Sequence, residues 1–327
     1  MYQRFFGLRE LPFELTSNPK YLYLTPKHRE ALSNLEYGLF AAKSLTVLIG
    51  EAGTGKTTLL RAALESDRCK AVHCVYLNNP ALTRAEFVAM LASRFGLGEV
   101  ASQSKAVLLE ELERALCQRR DQGEITALVV DEAQTLSTEL LEEIRLLANI
   151  ESAEEKLLPL VLAGQPELSA RLEESGLRQL KQRVALRCEI APFELSETAA
   201  YIATRIRTAG GVPSKLFTRE GVSLIHEHSG GIPRTISVIC DNALVHGMAL
   251  ERQPVDRAIV LEVCRDFHLR RNPSATSSAA LEDSEPADGD LSSSENTAQP
   301  ASIDGANNRS DTGQKTRRFK LFGSGRF

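Results

Sequence analysis

The stretch LIGEAGTGKTTLL sets out Gly50, Glu51, Ala52, Gly53, Thr54, Gly55, Lys56 and Thr57 in unbroken order. That spacing fits a loop whose backbone N–H groups cradle phosphates, with Lys56 reaching the β- and γ-phosphates of a nucleotide and the Thr57 hydroxyl ligating magnesium. An apolar run, LTVLI, leads into the loop, and a helical pattern opens at Thr58, whose position at the positive helix end favours the same anion. About 75 residues further on, ALVVDEAQ ends a second apolar run in Asp131 and Glu132. Asp131 suits the metal, directly or through water, and Glu132 suits polarising an attacking water. Either carboxylate alone is an ordinary strand ending. Together, downstream of a phosphate loop, they point to magnesium-dependent nucleotide hydrolysis.

Such residues need a frame that brings strand ends together. Strand-like runs at 44–50, 71–78, 125–132, 158–164 and 186–193 alternate with helical patterns, which implies a parallel sheet covered by helices on both faces. After Phe193 the strands stop, and SETAAYIATRIRTAG, TREGVSLIHEHSGG and PRTISVICDNALVHGMAL read as successive amphipathic helices. The expected fold class is therefore α/β, a nucleotide-binding parallel sheet followed by a small C-terminal helical domain.

Composition narrows the partners. A formal net charge of −4 gives no global pull toward nucleic acid or an anionic bilayer. The start, MYQRFFGLRELPFEL, has no basic segment leading into a long apolar run, so no signal peptide is expected, and no apolar stretch is long enough to span a bilayer. A cytoplasmic location, with contact at the inner face of the membrane at most, is the expectation. The six cysteines lack paired C-x-x-C spacing and read as buried thiols. From 273 to 314 the chain is rich in Ser, Ala, Asp, Glu and Gly and is expected to be a disordered acidic linker. It ends in a basic, aromatic peptide at 315–327, in which Lys315, Arg317, Arg318, Lys320 and Arg326 alternate with Phe319, Leu321, Phe322 and Phe327. That peptide is either a docking element or a solvated end.

The phosphate loop and the Asp131–Glu132 pair resemble the AAA+ ATPases, of the P-loop NTPase class, and the resemblance implies further roles. Gln165, in LPLVLAGQPEL, matches the first sensor residue that contacts the γ-phosphate or water, although a capping role fits the same position. The segment LRQLKQRVALRCEIAPF resembles the one that presents an arginine finger to a neighbouring subunit, with Arg183 the first choice and Arg187 the second. In HSGGIPRTI, Arg234 matches the second sensor, which reaches the nucleotide from a helical lid, with Gly231 and Pro233 setting its helix. Asn78, closing the second strand, is either a restraint on Glu132 or a plain strand terminator.

The N-terminal stretch is similar to the general secretion pathway protein A family, whose relatives include ATPases of pilus biogenesis and exopolysaccharide export. Phe6, Gly7, Leu8, Pro12 and Phe13, then His28, Glu30, Ala31 and Leu32, carry that resemblance, which extends over about residues 1–268 and implies an adenine pocket. Ser17 and Asn18 stand where the family's usual Pro-Asp would be, and the family's membrane span and peptidoglycan-binding domain find no counterpart. Four segments are expected: an α/β domain at 1–193, a lid at 194–272, the linker at 273–314 and the terminal peptide at 315–327. The implied function is ATP hydrolysis by a homo-oligomer that energises or regulates a secretion, pilus or exopolysaccharide export system, recruited to a membrane-embedded partner through 315–327. The alternative is an ATP-dependent DNA-binding regulator resembling transposon target-selection ATPases.

Overall fold

A computed structural model describes residues 1–15, 19–78, 82–102 and 104–269; the linker at 273–314, the peptide at 315–327 and the Ser17–Asn18 pair lie outside the described residues. The described part falls within one compact unit.

Five parallel strands, β1 (Leu45–Gly50), β2 (Val72–Asn78), β3 (Ile125–Asp131), β4 (Leu160–Gly164) and β5 (Val184–Ile190), are ordered β2-β3-β4-β1-β5. The three central strands are buried almost throughout, which is why LTVLI, TALVVD and LVLAG read as unbroken apolar runs rather than alternating ones. The edge strands β2 and β5 alternate instead. β5 begins two residues earlier than the sequence pattern implies, because Val184 pairs with Leu45 before a register shift.

Helices α1 (Tyr2–Phe6), α2 (Pro26–Phe40), α3 (Lys56–Leu64), α4 (Arg84–Phe95), α5 (Lys105–Asp121), α6 (Thr138–Leu147), α7 (Pro166–Leu172) and α8 (Arg178–Lys181) precede or interleave with the strands. Two cores result, one on each face of the sheet. Leu45, Val47 and Ile49 of β1 face Phe87, Leu91, Leu112 and Leu141 of α4, α5 and α6. Leu48, one residue out of phase, faces Leu35, Leu39, Leu59 and Leu60 of α2 and α3. The strand's period of two thus sorts one apolar run into two layers.

Helices α9 (Leu195–Thr208), α10 (Pro213–Leu216), α11 (Arg219–Ser229), α12 (Pro233–Ala249) and α13 (Arg257–Asp266) form the lid around a third core. Here packing departs from chain order. Tyr2, Phe6, Leu8 and Phe13, expected within the 1–193 segment, are buried in the lid core beside Phe193, Tyr201 and Ile239. The amphipathic face of α1 finds its apolar partner on α12, where the Tyr2 hydroxyl also donates to Asp241. Among the described residues no helix is long and apolar enough to cross a membrane.

The joint between sheet and lid turns on Gly231. Its φ is 73°, its carbonyl accepts from the Phe193 N–H at 2.8 Å, and a Cβ there would overlap the Phe193 carbonyl oxygen. Gly231→Ala combines left-handed strain with a backbone clash, so a loss of at least about 2 kcal/mol is expected. Denaturant unfolding of the purified variant checks it; an unchanged midpoint would show that the joint relaxes freely.

Candidate functional site

β1 ends at Gly50 and α3 starts at Lys56, two residues before the expected Thr58, because Gly55 serves as N-cap with φ 103°. The intervening loop wraps the helix start, and the Lys56 ammonium folds back to donate to the carbonyls of Gly50 (2.8 Å) and Glu51 (3.1 Å). Lys56 is 5% exposed. Burial pulls its pKa down, while the nearby Glu132 and Asp131 carboxylates pull it back up. Thr54 is buried in the loop's inner wall, whereas Glu51 and Ala52 face outward.

Strand order then does the assembly. β4 lies between β1 and β3, so the ends of all three emerge side by side, with Gln165 after β4 between the phosphate loop and the Asp131–Glu132 pair. Asp131, 1% exposed, accepts from the Thr57 hydroxyl (2.6 Å), the Tyr76 hydroxyl (2.8 Å) and the Glu132 N–H (2.9 Å). Burial and the neighbouring carboxylate push the Tyr76 phenol well above its usual value, so it remains a donor. Thr57 and Asp131 therefore present two hard oxygen ligands at one point, a donor set suited to magnesium completed by phosphate and water. Among the described residues, no group of three or more His, Cys, Asp or Glu could hold a metal ion by itself.

Glu132 occupies the left-handed region at φ 55°. Its Oε2 accepts from the side-chain amides of Gln134 (2.6 Å) and Gln165 (3.4 Å). Gln165 is at the N-cap position of α7, but its side chain makes no cap hydrogen bond and turns to Glu132 instead. Asn78 pairs in register with Asp131, yet among the described residues it makes no hydrogen bond to Glu132.

The lid closes the site from the other side. The Arg234 N–H donates to the Gly53 carbonyl at 3.3 Å, and its side chain joins Lys56, Thr57, Thr58 and Glu132 around one cleft. A second, aromatic pocket continues from that cleft past Gly55, Thr58 and Pro233, lined by Tyr21, Tyr23, His28, Phe193, Tyr201 and Arg205. His28 is 4% exposed and bridges Thr25 (2.7 Å) and the Thr54 carbonyl (3.3 Å); burial lowers its pKa and keeps the ring neutral. Of the N-terminal motif residues, then, His28 lines the pocket while Phe6, Leu8 and Phe13 support it through the lid core.

Arg183 and Arg187 are not at this site. Arg183 precedes Val184, which pairs with Leu45 at the far end of β1 from the phosphate loop, roughly 20 Å away at strand rise. Arg183 is exposed, whereas the Arg187 guanidinium is tied to the Ser169 hydroxyl at 2.7 Å.

Tyr76 and Arg205 are additions that motif spacing does not single out. Arg205 donates to the carbonyls of Pro12 (2.5 Å) and Glu14 (3.1 Å) and to the Tyr201 hydroxyl (2.6 Å), clasping the N-terminal segment to the lid. The signal for it was a charged residue four positions after Tyr201 on the buried helix face, beside Ile202 and Ile206.

A parallel sheet in this order, a phosphate loop after β1, paired carboxylates after β3 and a helical lid make up the AAA+ P-loop fold, and the AAA domain family model matches residues 41–172. Within that class the chain is related to general secretion pathway protein A. It is 40% identical to that protein of Aeromonas hydrophila over 249 residues, 76% of this chain, and so spans about half of the relative's length, 45%. Among solved structures, the fold is similar to the Aeropyrum pernix ORC2 protein (TM-score 0.57, 16% identity, 78% of this chain and 71% of that one). It is also similar to a chain of the Drosophila ORC bound to DNA (TM-score 0.59, 19% identity, 82% and 66%). Likeness at these identities concerns the fold.

Proposed function

We propose that the chain hydrolyses ATP as a homo-oligomer and uses the cycle to energise or regulate assembly of a secretion, pilus or exopolysaccharide export system. One observation carries the chemical part: Lys56, Thr57, Glu132 and Arg234 line one cleft beside an aromatic pocket, with Asp131 bonded to Thr57 and Gln165 to Glu132, although the six come from four separate places in the chain. In this reading the adenine lies among Tyr23, His28 and Phe193, and the phosphates lie along Gly50–Thr58. Lys56 leaves the Gly50 and Glu51 carbonyls for the β- and γ-phosphates. Thr57 and Asp131 hold magnesium, which would offset charge on the phosphate oxygens. Glu132 polarises the attacking water, Gln165 orients it, and Arg234 couples the γ-phosphate to the lid. Arg183 completes a neighbour's site.

Relatedness to general secretion pathway protein A supports the export role. The 315–327 peptide is the element proposed to dock on a membrane-embedded partner, because cationic and aromatic side chains together favour an anionic interface. ATP turnover by the full chain, measured against protein concentration with anionic vesicles or duplex DNA added, tests the proposal. Specific activity should rise with concentration and with vesicles. Stimulation by DNA alone would replace the export reading with the DNA-binding regulator.

A further inference from the structure

We infer that Gln134 is a positioning residue for ATP hydrolysis, holding the Glu132 carboxylate in place and coupling it to the end of β4. The inference rests on the reading of Glu132 as the water-polarising group. The sequence pattern draws attention to Gln165, yet the nearer amide is that of Gln134, which donates to Glu132 Oε2 at 2.6 Å against 3.4 Å for Gln165. The other end of the same amide is also engaged: Gln134 Oε1 accepts the Gln165 N–H at 3.1 Å. Its backbone is pinned as well, since Arg171 of α7 donates to the Gln134 carbonyl at 3.0 Å.

The approach depends on Gly164. A Cβ there would stand 3.0 Å from Gln134 Oε1 and 2.7 Å from a Leu168 methyl. On the other flank, the Thr135 N–H and hydroxyl both donate to the Glu132 carbonyl, closing the tight turn that brings Gln134 back over the carboxylate. Gln134 thus reads the position of β4 and α7 through one atom and sets Glu132 through another. A shift of the Gln165 backbone or of α7 is passed to the water-polarising group through Gln134, alongside the longer Gln165 side-chain contact.

Gln134→Glu separates positioning from support. The variant has nearly the same shape and keeps an acceptor for the Gln165 N–H, but it replaces the donor facing Glu132 with an oxygen. In the full chain at saturating protein concentration, Gln134→Glu should lower kcat at least about tenfold with KM for ATP within about threefold, since a small misplacement acts on the chemical step. Gln134→Ala should lose as much. A kcat within about twofold of the parent for Gln134→Glu overturns the inference, as does a change confined to KM. Glu132→Gln, run alongside, separates the two levels: if it retains turnover, the reading of Glu132 fails; if it alone is inactive, only the role of Gln134 fails.

Discussion

Glu132→Gln is expected to lower ATP turnover by about 10²–10⁴-fold, the usual contribution of a positioned general base, while ATP binding survives. The substitution preserves shape and leaves an oxygen for the Gln134 and Gln165 amides, so the polar cluster at the strand ends stays paired. What it removes is the charge that polarises water. Lys56 and the loop backbone, which carry the phosphate contacts in the proposed cycle, keep their places; losing the Glu132 charge lets the Lys56 pKa fall further, with Asp131 still opposing the burial that lowers it. Titration of a fluorescent ATP analogue, followed by phosphate release on the same preparation, checks both halves. Loss of binding together with turnover would mean that Glu132 shapes the pocket rather than acts on water.

Arg183→Ala should be equally silent in turnover, with a loss of about 10³–10⁵-fold if it supplies the trans arginine of a phosphoryl-transfer site. The geometry excludes service to its own chain, since Arg183 stands at the opposite end of β5 from the strand ends that hold the loop. Its side chain is also exposed and makes no hydrogen bond to another described residue, whereas the Arg187 guanidinium is occupied by Ser169. Mixing gives the decisive result. Glu132→Gln and Arg183→Ala are each inactive alone, but in mixed oligomers an intact site of the Arg183→Ala chain meets an intact Arg183 of the Glu132→Gln chain, so turnover returns. Each resulting composite pair is wild type in both roles. A mixture that stays inactive while Arg187→Ala is also inactive would move the role to Arg187.

These two residues also mark how far local pattern reaches. The phosphate loop was legible because its geometry is local: eight consecutive residues between an apolar strand and a helix determine where the N–H groups and Lys56 go. Asp131 and Glu132 were legible for a similar reason, as charges can end but not interrupt a strand buried on both faces. The alternation of strands and helices likewise sufficed for the fold class.

The remainder depends on which strands are neighbours, and in a parallel sheet that is settled by crossovers between distant segments. Placing β4 between β1 and β3 is what delivers Gln165 to Glu132 and closes Gln134 between them. Pairing of β2 with β3 brings Tyr76 to Asp131, a contact that no spacing rule encodes. The N-terminal segment joins the lid rather than the sheet because Tyr2, Phe6, Leu8 and Phe13 find their apolar partners on α9 and α12, and Arg205 satisfies the carbonyls of Pro12 and Glu14 there. Sequence alone determined the chemistry this chain carries, since that chemistry resides in short motifs. Tertiary structure decided which side chains hold and orient it, since burial and hydrogen bonding between remote elements exist only once the chain has folded.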